Sequence, residues 1–252
     1  MSDITRRRLV RGGLAAAAGA SGLAVAARLA DRYGLIPPDH GNLYGAGDSL
    51  TYAAQRLLTR HSMAREFPRS SISKTPFVNG PPPNDEAFRK LQAHAQTDWR
   101  LAVDGLVARP ASYSLADIRS FPARSQITHL ACEEGWSYIA EWTGVPLAYL
   151  LSLTEMRPQA KYVVYFSVEK DWWDSIDLDD ALHPQTLVAY GLNGGDLPLG
   201  NGGPLRMRVP RQLGYKNVKY ITRLTVTDDL KRFGKGLGST APEFGYSWYA
   251  GI

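Results

Sequence analysis

One cysteine stands in 252 residues: Cys132, in the run Thr128-His129-Leu130-Ala131-Cys132-Glu133-Glu134-Gly135-Trp136-Ser137. A single thiol cannot close a disulfide within its own chain. It can serve as a small buried hydrophobe, a crosslink to a second copy, a nucleophile or a metal ligand. A nucleophile needs an imidazole brought to the sulfur, and the chain offers His40, His61, His94, His129 and His183. His129 lies three residues before the cysteine, and on a strand that odd spacing points it to the opposite face. Zinc needs several ligands at recognisable spacing, and the chain has no CxxC, HxxxH or HExxH pattern.

The elements that must position this thiol read mostly as strands. Trp99 to Val103 alternates apolar with other residues and meets Asp104-Gly105, a tight-turn pair that predicts a hairpin. Lys161 to Val168 is rich in β-branched and aromatic residues, Leu187 to Leu192 meets the turn pair Asn193-Gly194, and Val218, Tyr220, Thr222, Leu224 and Val226 alternate along a late strand. Helices are fewer. They are expected at about Tyr52 to Leu58, after the Ser114-Leu115-Ala116-Asp117 cap, after Pro146 and near Leu178 to Leu182. This mixture predicts an α+β domain rather than regular βαβ winding, and no glycine fingerprint for a dinucleotide follows a strand.

The N-terminus carries paired arginines in Thr5-Arg6-Arg7-Arg8, before an Ala- and Gly-rich stretch from Leu14 to Ala27. That is the layout of a twin-arginine export signal, too weakly apolar for a membrane span. Residues 1–32 hold six arginines against two aspartates, so +4 of the formal +5 charge lies there and only +1 belongs to the rest. A basic balance confined to the signal gives no argument for nucleic acid. Asn79-Gly80-Pro81-Pro82-Pro83-Asn84 must be extended or turning, since successive prolines fix the backbone and remove amide donors. The organisation expected is an export signal over 1–32, an N-terminal extension with a Pro-rich linker over 33–98 and a catalytic domain over 99–252.

The stretch from Cys132 to Leu151, CEEGWSYIAEWTGVPLAYLL, resembles the cysteine segment of the sulfite oxidase family of molybdenum-cofactor enzymes. A second signature follows in the family's order: Asn193-Gly194, Leu197-Pro198-Leu199, Asn201-Gly202-Gly203-Pro204-Leu205-Arg206, Pro210 and Gly214-Tyr215-Lys216-Asn217-Val218-Lys219. The resemblance runs from about Trp99 to Asp228. It implies the sulfite oxidase molybdenum-cofactor domain fold, mixed β-sheets with short helices, and a molybdenum-molybdopterin cofactor. Carried over by position, Cys132 binds the metal, while Asn201, Arg206 and Asn217-Val218-Lys219 hold the pterin and its terminal phosphate, with Lys216 as a nearby cation. Fixed donors, a guanidinium fork and a glycine-flanked turn suit a phosphate. Ser167 matches a position where a small hydroxyl touches the cofactor. Gly41-Asn42-Leu43-Tyr44-Gly45 is similar to a segment that contacts the pterin in some exported members, which makes Asn42, Tyr44 and Gly45 candidates too.

His129 takes the place of an arginine that family members commonly carry before the cysteine, and becomes the candidate proton donor or anion contact. Trp172 and Trp173, flanked by Asp171 and Asp174, are expected as an aromatic wall near the pocket mouth. Loss of the arginine weakens sulfite as a substrate. The chain is similar to short exported subunits of the periplasmic methionine sulfoxide reductase type, which take electrons from a membrane haem protein. The resemblance therefore implies two-electron oxygen-atom transfer to or from a small molecule or methionine sulfoxide, with reduction of an S-oxide or N-oxide first. Sulfite oxidation is the alternative, and a cofactor-free binding protein on the same fold is the alternative of another class.

Overall fold

Alternating apolar side chains along ten strands build two sheets that share one core. A computed structural model describes residues 22, 24–40, 45–93 and 96–252. The first sheet contains β1 (Arg100–Gly105), β2 (Ala111–Ser114), β5 (Tyr162–Ser167), β6 (Trp173–Asp177) and β10 (Ile221–Thr227), in the order β2-β1-β10-β5-β6. Only β1 and β10 run parallel within it; the other pairs are antiparallel. The second has β3 (Arg124–Ala131), β4 (Ser137–Pro146), β7 (Leu187–Leu192) and β8 (Gly195–Asp196) in the order β3-β4-β7-β8, with β9 (Arg206–Arg208) paired to β7. Leu101 and Val103 of β1, Val163 and Tyr165 of β5, Leu224 and Val226 of β10, and Val145, Val188 and Met207 of the second sheet pack in one cluster. Burial of each such side chain contributes roughly 1.5–3 kcal/mol. These are the mixed sheets with short helices expected of the α+β class.

Local chemistry explains most of the element ends. Ser114 and Asp117 form a reciprocal capping box that starts α3 (Leu115–Ser120), and α4 (Leu147–Leu153) begins directly after Pro146. Asn193 and Gly194 both take positive φ between β7 and β8, as a two-residue hairpin turn requires. The hairpin expected after Val103 does form, β1 pairing antiparallel with β2, but Asp104-Gly105 is not its turn. Gly105 is the last residue of β1, at φ +85°, where a Cβ would stand 2.1 Å from the Val226 carbonyl oxygen, so the glycine serves close strand approach and residues 106–110 make the connection to β2. The late strand is also shorter than its alternation predicts. Val218 and Tyr220 precede β10, Tyr220 has φ +56°, and the register slips between Ile221 and Arg223.

Helix α1 (Gly45–Leu58) and helix α2 (Glu86–Ala93) precede β1, and α2 is an element the sequence pattern did not reveal. Between them the chain runs along the second sheet. The Phe67 amide donates to the Ile127 carbonyl and the Ser73 amide to that of Ile139. Helix α1 docks through buried charge: Arg56 reaches Asp177 at 2.6 Å and Asp180 at 2.7 Å, and Tyr52 donates to Asp177 at 2.9 Å. Asp180 lies in α5 (Leu178–Ala181), next to β6; the remaining short helix is α6 (Thr240–Glu243). Residues 24–32 are helical, and the paired arginines of the expected signal lie outside the described residues. Among the described residues no helix is long and apolar enough to cross a membrane.

Burial raises the Asp177 carboxyl above the ordinary range, with Arg56 opposing. Arg56→Met therefore leaves buried Asp177 without its cation, while Asp180 keeps Arg211, and is expected to cost about 3–5 kcal/mol, read as a lower melting temperature. The deficit should shrink as pH falls, because protonating Asp177 relieves the uncompensated charge.

Candidate cofactor site

The sulfur sits where β3 ends. Cys132 follows Ala131 directly and a tight turn closes around it: its amide donates to the Trp136 carbonyl, and the Gly135 amide donates back to the Cys132 carbonyl, with Gly135 at φ +90°. From the other side Gly214 presses so closely that a Cβ there would stand 2.9 Å from Sγ. Only a glycine lets that loop reach the thiol. Sγ donates to Glu133 Oε2 at 2.9 Å, and burial, together with that carboxylate, pushes the thiol up to about 12. Among the described residues no imidazole lines the space beside it. A neutral thiol among carboxylates is a poor nucleophile, whereas metal coordination would remove its proton outright. Among the described residues no three His, Cys, Asp or Glu side chains converge as a metal cage, so a metal on this sulfur needs ligands from a cofactor.

A cavity of about 590 Å³ opens beside the sulfur, lined also by residues 79–84, Trp136, Glu169, Trp172, Arg206 and the stretch from Asn217 to Tyr220. Its lining carries both signs of charge, Arg206 and Lys219 with the carboxylates of Glu133, Glu134 and Glu169. Arg206 is buried, donates to the carbonyls of Asn201 and Asn217, each at 2.7 Å, and meets the Tyr138 hydroxyl. Arg208, two residues on along β9, is fully buried and donates to Asn217 Oδ1, Thr128 Oγ1 and the His129 carbonyl. The Nε atoms of both arginines have no partner, and neither guanidinium forms an ion pair with a carboxylate among the described residues. Burial, then the neighbouring Arg206, pulls Arg208 down to about 9. Lys219 donates to the carbonyls of Asn79 at 2.6 Å and Gly200 at 2.7 Å, which leaves one ammonium proton unassigned. Burial and Arg206 lower it to about 8.

Cys132, Arg206, Asn217, Val218 and Lys219 thus meet at one cavity. Asn201 stands behind it: its carbonyl holds Arg206, and its Nδ2 donates to the Phe77 carbonyl at 3.1 Å. Ser167 lines an adjoining hollow that shares Glu169 and Trp172 with the cavity. Lys216, expected as a nearby cation, is instead fully buried in an ion pair with Asp174, its ammonium 4.9 Å from the Trp248 ring centre. His129 and Thr128 alternate on β3, so the imidazole lies on the face away from Thr128 and packs against Phe67, not in the cavity lining. Trp172 lines the cavity, while Trp173 is buried against Phe166 and Phe233. Asn42 and Tyr44 lie outside the described residues, and Gly45 begins α1 away from the cavity lining.

Sequence reasoning missed the 79–84 wall, Glu169, Tyr215 and Arg208. The proline run did signal a rigid extended segment, which is what a wall needs, but nothing in it names the lysine it meets.

A molybdopterin fits this chemistry on the structure's own terms. Two buried guanidiniums with orphaned Nε atoms and a spare lysine proton suit an anionic cofactor, and a soft thiol at the same cavity suits a thiophilic metal. Comparison with known proteins agrees. The family model described as oxidoreductase molybdopterin binding domain matches residues 88–232. The chain belongs to this family. It is a molybdopterin-dependent oxidoreductase.

A relative from Azospira oryzae, named for a protein-methionine-sulfoxide reductase subunit, YedZ1, is 36% identical over 195 residues, covering 77% of this chain and 70% of the relative. The protein-methionine-sulfoxide reductase catalytic subunit MsrP of Ralstonia nicotianae is 35% identical over 145 residues, covering 52% of this chain and 44% of that protein. Among solved structures, the sulfane dehydrogenase SoxCD from Paracoccus pantotrophus superposes with a TM-score of 0.51 at 24% identity, over 53% of this chain and 39% of that one, which shows the fold.

Because Lys219 is lowered to about 8, its charge is present below that pH and lost above it. Sulfate binding to cofactor-free protein should therefore weaken as pH rises through about 8, with the bound anion delaying the fall, and K219R should hold its affinity there. Isothermal titration across the range checks both.

Proposed function

We propose that this chain is an exported catalytic subunit that reduces S-oxides, methionine sulfoxide first among them, with electrons from a membrane haem protein. The observation that carries the reading is the buried Arg206 guanidinium, without a carboxylate partner among the described residues, at the cavity that also holds the lone cysteine, with Arg208 buried behind it. When bound, the molybdenum cofactor supplies two-electron oxygen-atom transfer. The chain supplies everything that places it. Cys132, at the end of β3, would supply the thiolate that holds the metal. Arg206 and Lys219 would hold the cofactor's phosphate, and the Asn217-Val218 segment would give that anion a fixed edge. Asn201 acts one step back, holding the Arg206 fork through its carbonyl. Glu169 edges the same space and is held by hydrogen bonds with Ser167 in the adjoining hollow, and burial raises the Glu169 carboxyl so that it competes less with the anion. Trp172 and Trp136 give the cavity apolar walls beside which a thioether sulfur can lie.

The relatives' names support S-oxide reduction, since both are named for protein-methionine-sulfoxide reductases. The absence of arginine before Cys132 favours a neutral oxide over an anion. The paired arginines at 6–8 support export by the twin-arginine route to the periplasm, which carries folded proteins with their cofactors in place. Two electrons and two protons convert the S-oxide to sulfide and water, so an electron donor is required.

Purified holoprotein should oxidise a reduced viologen dye on addition of methionine sulfoxide, and should not reduce an electron acceptor on addition of sulfite. C132S should abolish that turnover while retaining the fold by circular dichroism. Sulfite-driven reduction, with no response to methionine sulfoxide, would assign the opposite direction.

A further inference from the structure

We propose that Arg208, which does not itself line the cavity, is a positioning residue that fixes the spacing between Cys132 and the anion-binding loop; the inference rests on the cofactor role given to that cavity above. The two parts of the cradle come from different places in the fold. The sulfur stands at the end of β3, in the second sheet. Gly214, Val218 and Lys219 stand on the loop between β9 and β10. Strand β9 pairs with β7 and not with β3, so the sheet ladder does not tie that loop to the cysteine strand.

Arg208 makes the tie with one planar group. Its Nη1 donates to Asn217 Oδ1 at 2.9 Å, and its Nη2 donates to Thr128 Oγ1 at 3.0 Å and to the His129 carbonyl at 2.7 Å. Thr128 and His129 are in the last turn of pleat before Cys132. Asn217 is the hub of the loop: its Oδ1 also accepts from the Val209 amide, its Nδ2 donates to the Leu213 carbonyl, and its own carbonyl accepts from Arg206. A shift of the Arg208 fork therefore moves the loop's hub relative to the strand that carries the thiol. Lysine cannot replace it, because a point ammonium does not span three acceptors in a fixed plane. The Trp142 ring backs both arginines, with each guanidinium carbon 5.2 Å from the ring centre, and holds the pair in register.

If Arg208 were only a core strut, its replacement would change stability and nothing else. A positioning role moves two further readouts. In cofactor-free protein, R208K and R208M should weaken sulfate binding about tenfold or more, a misplacement effect, although Arg208 does not line the cavity. In loaded protein, the electron paramagnetic resonance signal of the half-reduced metal should shift in both variants, because the geometry at the sulfur changes. T128V removes one acceptor with a side chain of equal shape, and should shift the same signal by a smaller amount if R208M fails to fold. Variants that fold, bind sulfate as wild type does and give the wild-type signal overturn the proposal. Wild-type protein that binds molybdenum but no sulfate overturns the phosphate role given to Arg206 and Lys219 instead, and the resonance signal of R208K still decides the part played by Arg208.

Discussion

Two buried guanidinium groups, side by side and without a carboxylate among the described residues, set the terms for the rest of this structure. Taking a cation out of water costs several kcal/mol unless an opposite charge meets it. Elsewhere this fold follows that rule: Arg56 has Asp177 and Asp180, and Lys216 has Asp174. Among the described residues Arg206 and Arg208 have carbonyls, the hydroxyls of Thr128 and Tyr138, an amide oxygen and the face of Trp142. The deficit sits beside the cavity that holds the lone thiol. A cofactor carrying a phosphate and a metal answers both halves at once, so cofactor binding and folding stability are coupled in this chain.

The contrast between Lys216 and Lys219 shows how fine the placement is. Three residues apart on one loop, one ammonium is locked into the core and the other borders the cavity. Sequence alone could not separate them, because this stretch is a single turn of 3₁₀-helix followed by irregular backbone, and strand alternation does not apply there. Arg206 and Arg208 pose the reverse difficulty. Charges at alternate positions on a strand usually mark a solvated face, yet here β9 is buried and both point inward.

Local signals were legible and distant ones were not. The Ser114 cap, the strand from Tyr162, the Asn193-Gly194 turn and the helix after Pro146 all rest on chemistry within a few residues, and each appears where it was expected. The gathering of Cys132, Arg206, Asn217, Val218 and Lys219 was legible through family resemblance, not through periodicity. The 79–84 wall was hidden because its contact with Lys219 spans 140 positions and is made by a backbone carbonyl, which any residue type possesses. Asp104-Gly105 misled for a physical reason: a glycine admitted for close strand approach looks the same in sequence as one admitted for a turn.

The central claim is that the Cys132 sulfur binds molybdenum in a cradle charged by Arg206 and Lys219. X-ray absorption at the molybdenum edge tests it most directly, comparing wild-type holoprotein with C132S at matched pterin content. The account predicts that the variant loses one sulfur neighbour from the metal's shell and gains none in exchange. An unchanged sulfur count would contradict it.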